Sequence, residues 1–328
     1  MNWEDNLSAE IRKPPRLEAG QTIGLVAPAS ATGEPDQIRY AIEVIESLGF
    51  RVKPGAHLFD RFGYLAGQDR DRAADLNGMF ADDTVAAIFA LRGGYGSMRI
   101  LPYLDYELIR ANPKIFLGYS DITALHQAFQ VKTGLVTFHG PIALAGFSPY
   151  SLAEFEKVLL RPQAGLSLAA PPPVEPIPGR PERANRLIRF VPGRARGRLM
   201  GGNLTLLSHL LGTPYQPDFQ DKILLLEDVG ESVYRIDRML TQLWLAGCLN
   251  RLAGIVFGKF TNCRPAGSWT SRFSLEEVLA ERSREIGRPA LGGLMIGHVD
   301  DQATLPFGCL VDLDVEAGTL TLCEEAVL

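Results

Sequence analysis

Cysteine, tryptophan and histidine are scarce in this chain of 328 residues, with four, three and five of each. Cys248, Cys263, Cys309 and Cys323 stand far apart and form no Cys-x-x-Cys pair. That argues against a disulfide frame or a cysteine zinc site and predicts reduced thiols, as in a cytoplasmic protein. Basic charge is not in excess. Thirty-three Lys and Arg against 38 Asp and Glu leave a formal charge of −5, which speaks against a nucleic-acid or anionic-membrane partner. No apolar run is long enough to cross a bilayer. Met1 to Arg16 is polar, with no apolar core of a secretory signal. A Gly-x-Ser-x-Gly elbow is also missing.

What is present is the composition of an ordinary globular protein, 46% hydrophobic and 22% charged, long enough for two domains each with its own core. Residues 22–27, 50–52, 85–91, 115–119 and 135–139 read as strands. Between them, 38–48, 69–80, 97–104 and 122–129 read as helices. Strands alternating with helices predict an α/β fold, a doubly wound parallel sheet covered on both faces. Its ligand crevice should lie at the carboxyl ends of the strands. Those ends carry Ala27 to Ser30, Arg92 to Gly96, Gly118 to Asp121 and His139 to Pro141.

Six prolines between Ala169 and Arg183 exclude a helix or a central strand there. The boundaries predicted are therefore a first domain at 1–168, a linker at 169–184 and a second domain at 185–328. The Arg-rich stretch 180–198 reads as a solvated loop and an edge strand. The second domain is expected to be smaller and β-rich, of α+β type. It offers a helix at 204–211 capped by Asn203, strands at 222–226, 254–258 and 294–298, a helix at 234–246, and a hairpin over 311–322.

Ser120 sits where the buried run Lys114 to Tyr119 meets a helix, so its hydroxyl is held on a tight turn beside free helix N–H groups. Ser120 and Asp121 would equally serve as a helix cap. A nucleophilic serine needs a base and an orienter. His126 falls on the far side of its helix, His209 reads as a core histidine and His57 as a loop residue. His139 and His298 each end an apolar run, and spacing leaves both open as the base. Glu227, at the end of strand 222–226, is the candidate orienter, with Asp228 on the opposite face. Gly93 and Gly94 are placed to bring a backbone N–H to an acyl oxygen, joined by the Asp121 N–H. A plain turn or a phosphate loop competes with that reading.

Together these motifs become specific. Arg92-Gly93-Gly94-Tyr95-Gly96, Gly118-Tyr119-Ser120-Asp121, Phe138-His139-Gly140-Pro141, Gly201-Gly202-Asn203-Leu204, Leu226-Glu227-Asp228, Tyr234-Arg235-Ile236-Asp237-Arg238 and Gly297-His298 before Leu305-Pro306-Phe307-Gly308 strongly resemble the LD-carboxypeptidases of serine peptidase family S66. The resemblance implies a flavodoxin-like domain followed by a smaller β-rich swivelling domain, usually in a homodimer, with no metal or cofactor. It implies Ser120 as nucleophile, Glu227 as orienter and His298 as base, with the Gly94 and Asp121 amides as oxyanion hole. Arg92, Gly93, Tyr95 and His139 are candidate substrate contacts, Arg92 for a terminal carboxylate. The implied reaction releases terminal D-Ala from muropeptide tetrapeptides in cytoplasmic peptidoglycan recycling. Some relatives instead cleave microcin C-type peptidyl-adenylates, gripping the nucleobase with an aromatic loop; here Trp269 is the candidate. A non-catalytic muropeptide-binding protein is the remaining reading, and it has no need of all three triad residues.

Overall fold

The computed structural model describes residues 10–173, 178–179, 185–265 and 273–328. Trp269, Pro176 and Pro181 lie outside the described residues, as does much of the expected linker. Among those described, two sheets carry the fold. The first contains β1 (Thr22–Val26), β2 (Arg51–Pro54), β3 (Val85–Ala90), β4 (Ile115–Gly118) and β5 (Thr137–His139). These lie parallel in the order 2-1-3-4-5, as in flavodoxin-like sheets. β3 and β4 are apolar and almost wholly buried because helices cover both faces. The covering helices are α1 (Pro35–Ser47), α2 (Asp69–Ala81), α3 (Ser97–Ile100), α4 (Tyr106–Ala111), α5 (Thr123–Thr133) and α6 (Pro149–Leu159). Gly134, at φ 71°, stops α5 in the left-handed conformation.

The second sheet runs β13-β12-β7-β8-β9-β10-β6. Its edge strand β6 (Ile188–Val191) falls inside the Arg-rich stretch. β7 (Arg194–Asn203), β8 (Lys222–Val229), β9 (Gly254–Thr261) and β10 (Ala290–Gly292) are parallel. β12 (Leu310–Asp314) and β13 (Thr319–Leu322) form the expected terminal hairpin. Helices α7 (Leu204–His209), α8 (Val233–Leu245) and α9 (Leu275–Ile286) belong to this half. The Asn203 side chain accepts the Leu206 N–H at 3.2 Å and so caps α7.

Three expectations need correction. β11 (Leu305–Phe307) does not join the second sheet; it pairs antiparallel with β5, Leu305 opposite His139, and closes the first sheet. The two halves therefore share part of their core, beside one cluster almost wholly in the first half and one wholly in the second. One buried cluster runs from Ile23, Phe89 and Phe155 through Leu305 and Phe307 to Leu199, Leu225 and Val256. Residues 294–298 are not a strand, because Gly293 and Gly297 take φ of 96° and 116° and turn the chain out of the sheet. His209 is exposed rather than in the core.

α5 is the joint between halves. Thr123 Oγ1 accepts the Asn203 N–H at 2.9 Å, and Gln127 Nε2 donates to the Gly201 carbonyl at 2.8 Å. Gly202 makes this approach possible, since a Cβ there would stand 2.5 Å from Thr123 Oγ1.

Candidate active site

Ser120 leaves β4 through a one-turn 3-10 segment, Ser120–Ile122, that leads into α5. Its φ of 65° is left-handed, rare for a residue with a side chain and a form of strain found at exposed nucleophiles. Gly118 permits the tight strand-to-helix step, because a Cβ there would lie 3.0 Å from Ala90 Cβ and from Ile122 Cγ2. Across the crevice β8 carries Glu227 to its end, fully buried. His298 arrives on the loop after β10, its backbone carbonyl accepting from Thr261 Oγ1 at 2.9 Å.

The three side chains meet. His298 Nε2 lies 2.9 Å from Ser120 Oγ and Nδ1 lies 2.8 Å from Glu227 Oε2. An Nδ1 proton facing the carboxylate leaves Nε2 free to accept the serine proton. The Glu227 carboxylate is out of water while His298 is one-fifth exposed, so the relay opens toward solvent on the serine side. Gly297 has φ 116°, and a Cβ there would stand 3.0 Å from Glu227 Oε2. Tyr119 packs edge-on against the His298 ring, centroids 4.9 Å apart, and burial pushes its phenol up to about 12.

Gly93 comes close to the nucleophile; a Cβ on it would meet Ser120 Cβ at 3.0 Å and the Asp121 nitrogen at 3.2 Å. Gly94 is at φ 109° and leans on Ser30, whose hydroxyl accepts the Tyr95 N–H at 3.0 Å. Arg92 is half-buried and donates to the Ala31 carbonyl at 2.9 Å. It ties the loops after β1 and β3 together, at the point where the strand order reverses. Tyr95 is half-exposed and meets Tyr64 edge to face at 5.6 Å. His139 departs from expectation. It is wholly buried beneath β11 and α5, packed on Phe307 and His126, and cannot touch a substrate. Burial and the neighbouring His126 hold its imidazole well below the usual range, hence neutral. His126 Nε2 donates to the Gly118 carbonyl, 2.9 Å away, with no part in the relay.

Sequence reasoning missed the supports. Asp228, opposite Glu227, accepts from Asn203 Nδ2 at 3.1 Å and Thr205 Oγ1 at 2.8 Å, fixing the end of β8 against α7. Burial pushes its carboxyl up, opposed by the Thr205 hydroxyl. Among the described residues, the one His/Asp group with atoms close enough for a metal is His57, Asp60 and Asp71, within 4.8 Å of one another and outside the relay.

Residues 23–140 match the LD-carboxypeptidase N-terminal domain of peptidase family S66, and residues 196–313 match its C-terminal domain. The chain belongs to the LD-carboxypeptidase family. A probable murein peptide carboxypeptidase of Bacillus subtilis is 41% identical over 315 residues, 94% of either chain. The microcin C7 self-immunity protein MccF of Escherichia coli is 30% identical over 330 residues, 94% of this chain and 95% of its own. The solved complex of MccF with glutamyl sulfamoyl guanosine gives a TM-score of 0.86 at 27% identity, covering 96% of this chain and 99% of its own. A muramoyltetrapeptide carboxypeptidase from Oxalobacter formigenes gives a TM-score of 0.77 at 29% identity, covering 92% of this chain and 98% of its own. No helix among the described residues is long and apolar enough to cross a membrane.

Proposed function

We propose that this family member is a serine LD-carboxypeptidase that releases terminal D-Ala from muropeptide tetrapeptides. The observation that carries the reading is the Ser120–His298–Glu227 chain of hydrogen bonds, 2.9 Å and 2.8 Å long. Ser120 Oγ attacks the carbonyl carbon on the L-side of the L,D-peptide bond while His298 Nε2 takes its proton. Glu227, buried and fixed by β8, holds the ring and balances the imidazolium that forms. The Gly94 and Asp121 N–H groups, from two neighbouring loops, receive the oxyanion. His298 then protonates the departing D-Ala amine, and water cleaves the acyl-serine by the same relay. Arg92, Gly93 and Tyr95 line the substrate's approach. The name of the B. subtilis relative supports a murein peptide substrate.

A second reading, cleavage of a peptidyl-adenylate amide, draws on the likeness to MccF. Purified protein is incubated with a disaccharide-tetrapeptide and with a peptidyl-adenylate mimic, following D-Ala release and amide cleavage. Turnover of the tetrapeptide, lost in Ser120→Ala, is expected; turnover of neither, or full activity in Ser120→Ala, ends the serine-hydrolase reading. We further assign the enzyme to the cytoplasm, supported by four free cysteines, and to a homodimer, to be checked by light scattering.

A further inference from the structure

The two amides assigned to the oxyanion come from different loops, Gly94 from the loop after β3 and Asp121 from the turn after β4. Their separation must hold to a fraction of an ångström for both to reach one oxygen. Something has to fix one loop on the other.

The Asp121 side chain lies between them. It is 2% exposed, and its carboxylate accepts the Ser97 N–H at 2.8 Å. Ser97 Oγ donates to the Asp121 backbone carbonyl as well, so residue 97 holds residue 121 by two bonds. Ser97 is itself fully buried. On the far side of Gly96 stands Arg72, its guanidinium donating to the Gly96 carbonyl at 3.1 Å and to the Pro28 carbonyl. Asp69 holds that guanidinium in turn, at 2.6 Å. The fit is close, for a Cβ on Gly96 would lie 2.5 Å from Leu65 Cδ2 and 3.1 Å from Arg72 Nη1.

We propose that Asp121, latched to Ser97 through both its side chain and its backbone carbonyl, is a positioning residue that sets the register of the Gly93–Gly94 loop against the nucleophile turn. Asp121 thus acts twice, by its own N–H and by holding the loop that brings the other. Charge fits the same role. A bare carboxylate next to the nucleophile would repel the developing anion. Here burial pushes the carboxyl up toward its neutral form, opposed by the Ser97 N–H and the Arg72 charge. The latch touches no substrate, so it acts on the transition state through the loop and leaves ground-state binding alone.

This inference rests on the serine-hydrolase reading, and the experiment separates the two. Wild type, Ser120→Ala, Ser97→Ala and Asp121→Asn are compared as full-length chains on the disaccharide-tetrapeptide. Each is also titrated with a tripeptide boronic acid whose boron adds to Ser120 Oγ as a tetrahedral mimic. Ser97→Ala removes the hydroxyl and keeps its N–H bond, while Asp121→Asn keeps one acceptor oxygen. In both, kcat is expected to fall about 10- to 100-fold with KM within about threefold, and boronate affinity to fall in proportion to kcat. Wild-type kcat in folded Ser97→Ala, a loss confined to KM, or unchanged boronate affinity would each overturn the latch. Should Asp121→Asn fail to fold, Ser97→Ala alone decides. An inactive wild type, or an active Ser120→Ala, defeats the underlying function instead.

Discussion

Gly297→Ala is the substitution that most directly tests the relay, because it alters no group in it. At φ 116° the residue lies outside every region open to alanine, and that strain costs about 1–3 kcal/mol. The added Cβ would stand 2.9 Å from the Lys259 carbonyl oxygen and 3.0 Å from Glu227 Oε2. The carbonyl belongs to the backbone of β9, so the freer neighbour is the Glu227 side chain. Any retreat of Oε2 stretches its 2.8 Å bond to His298 Nδ1. A misplacement near 1 Å costs about 10²-fold, and full loss of the orienter in a serine triad about 10⁴-fold. The variant should therefore lose about 10²- to 10⁴-fold in kcat with little change in KM. Initial rates of D-Ala release, beside a thermal melt to confirm the fold, make the measurement. A melting point lowered as strain requires together with wild-type kcat would refute the reasoning, since Glu227 could then move without consequence.

Acid should weaken the fold through its buried histidines. Burial holds His126 at about 4, below an ordinary 6.5, and His139 lower than usual too. The unfolded chain thus binds more protons below pH 6.5, and stability falls as pH drops from about 6.5 toward 4, by about 3 kcal/mol for His126. Urea melts from pH 7.5 to 4.5 should show this slope, and His126→Phe should flatten it; an equal slope in both proteins would exclude His126 as a source. Gln127→Met strands the buried Gly201 carbonyl and should cost about 1–3 kcal/mol by urea melt, with no loss if that bond is dispensable. Residues 1–168 expressed alone leave β5 as a bare edge without Leu305 and Phe307. They should aggregate or associate on gel filtration, and a stable monomer would show that β11 is not needed.

The first sheet was legible because β1, β3 and β4 are short apolar runs ended by small residues, the mark of strands buried on both faces. Ser120 was visible for the same reason, standing where such a run stops. β11 was not. Leu305-Pro306-Phe307 is three residues with a central proline, tolerated only on an edge, and nothing local says which sheet it joins. That omission also explains why spacing left His139 and His298 open. Both end apolar runs, but β11 seals His139 from solvent while Gly297 turns His298 out into the crevice. Arg72 was hidden in a helix that reads as merely polar, and Ser97 at the start of a short one. Their value lies in backbone carbonyls and amides of distant loops, which side-chain patterns do not encode.

The return of β11 to the first sheet has a consequence for synthesis. His298 and the strand that seals the nucleophile's sheet sit within ten residues of each other near the end of the chain, Leu305–Phe307 following closely. A nascent polypeptide that has cleared the ribosome as far as the linker carries Ser120 on an open sheet, with neither base nor orienter. On the proposed function, hydrolytic competence and completion of that sheet arrive together, since both wait for residues 298–307.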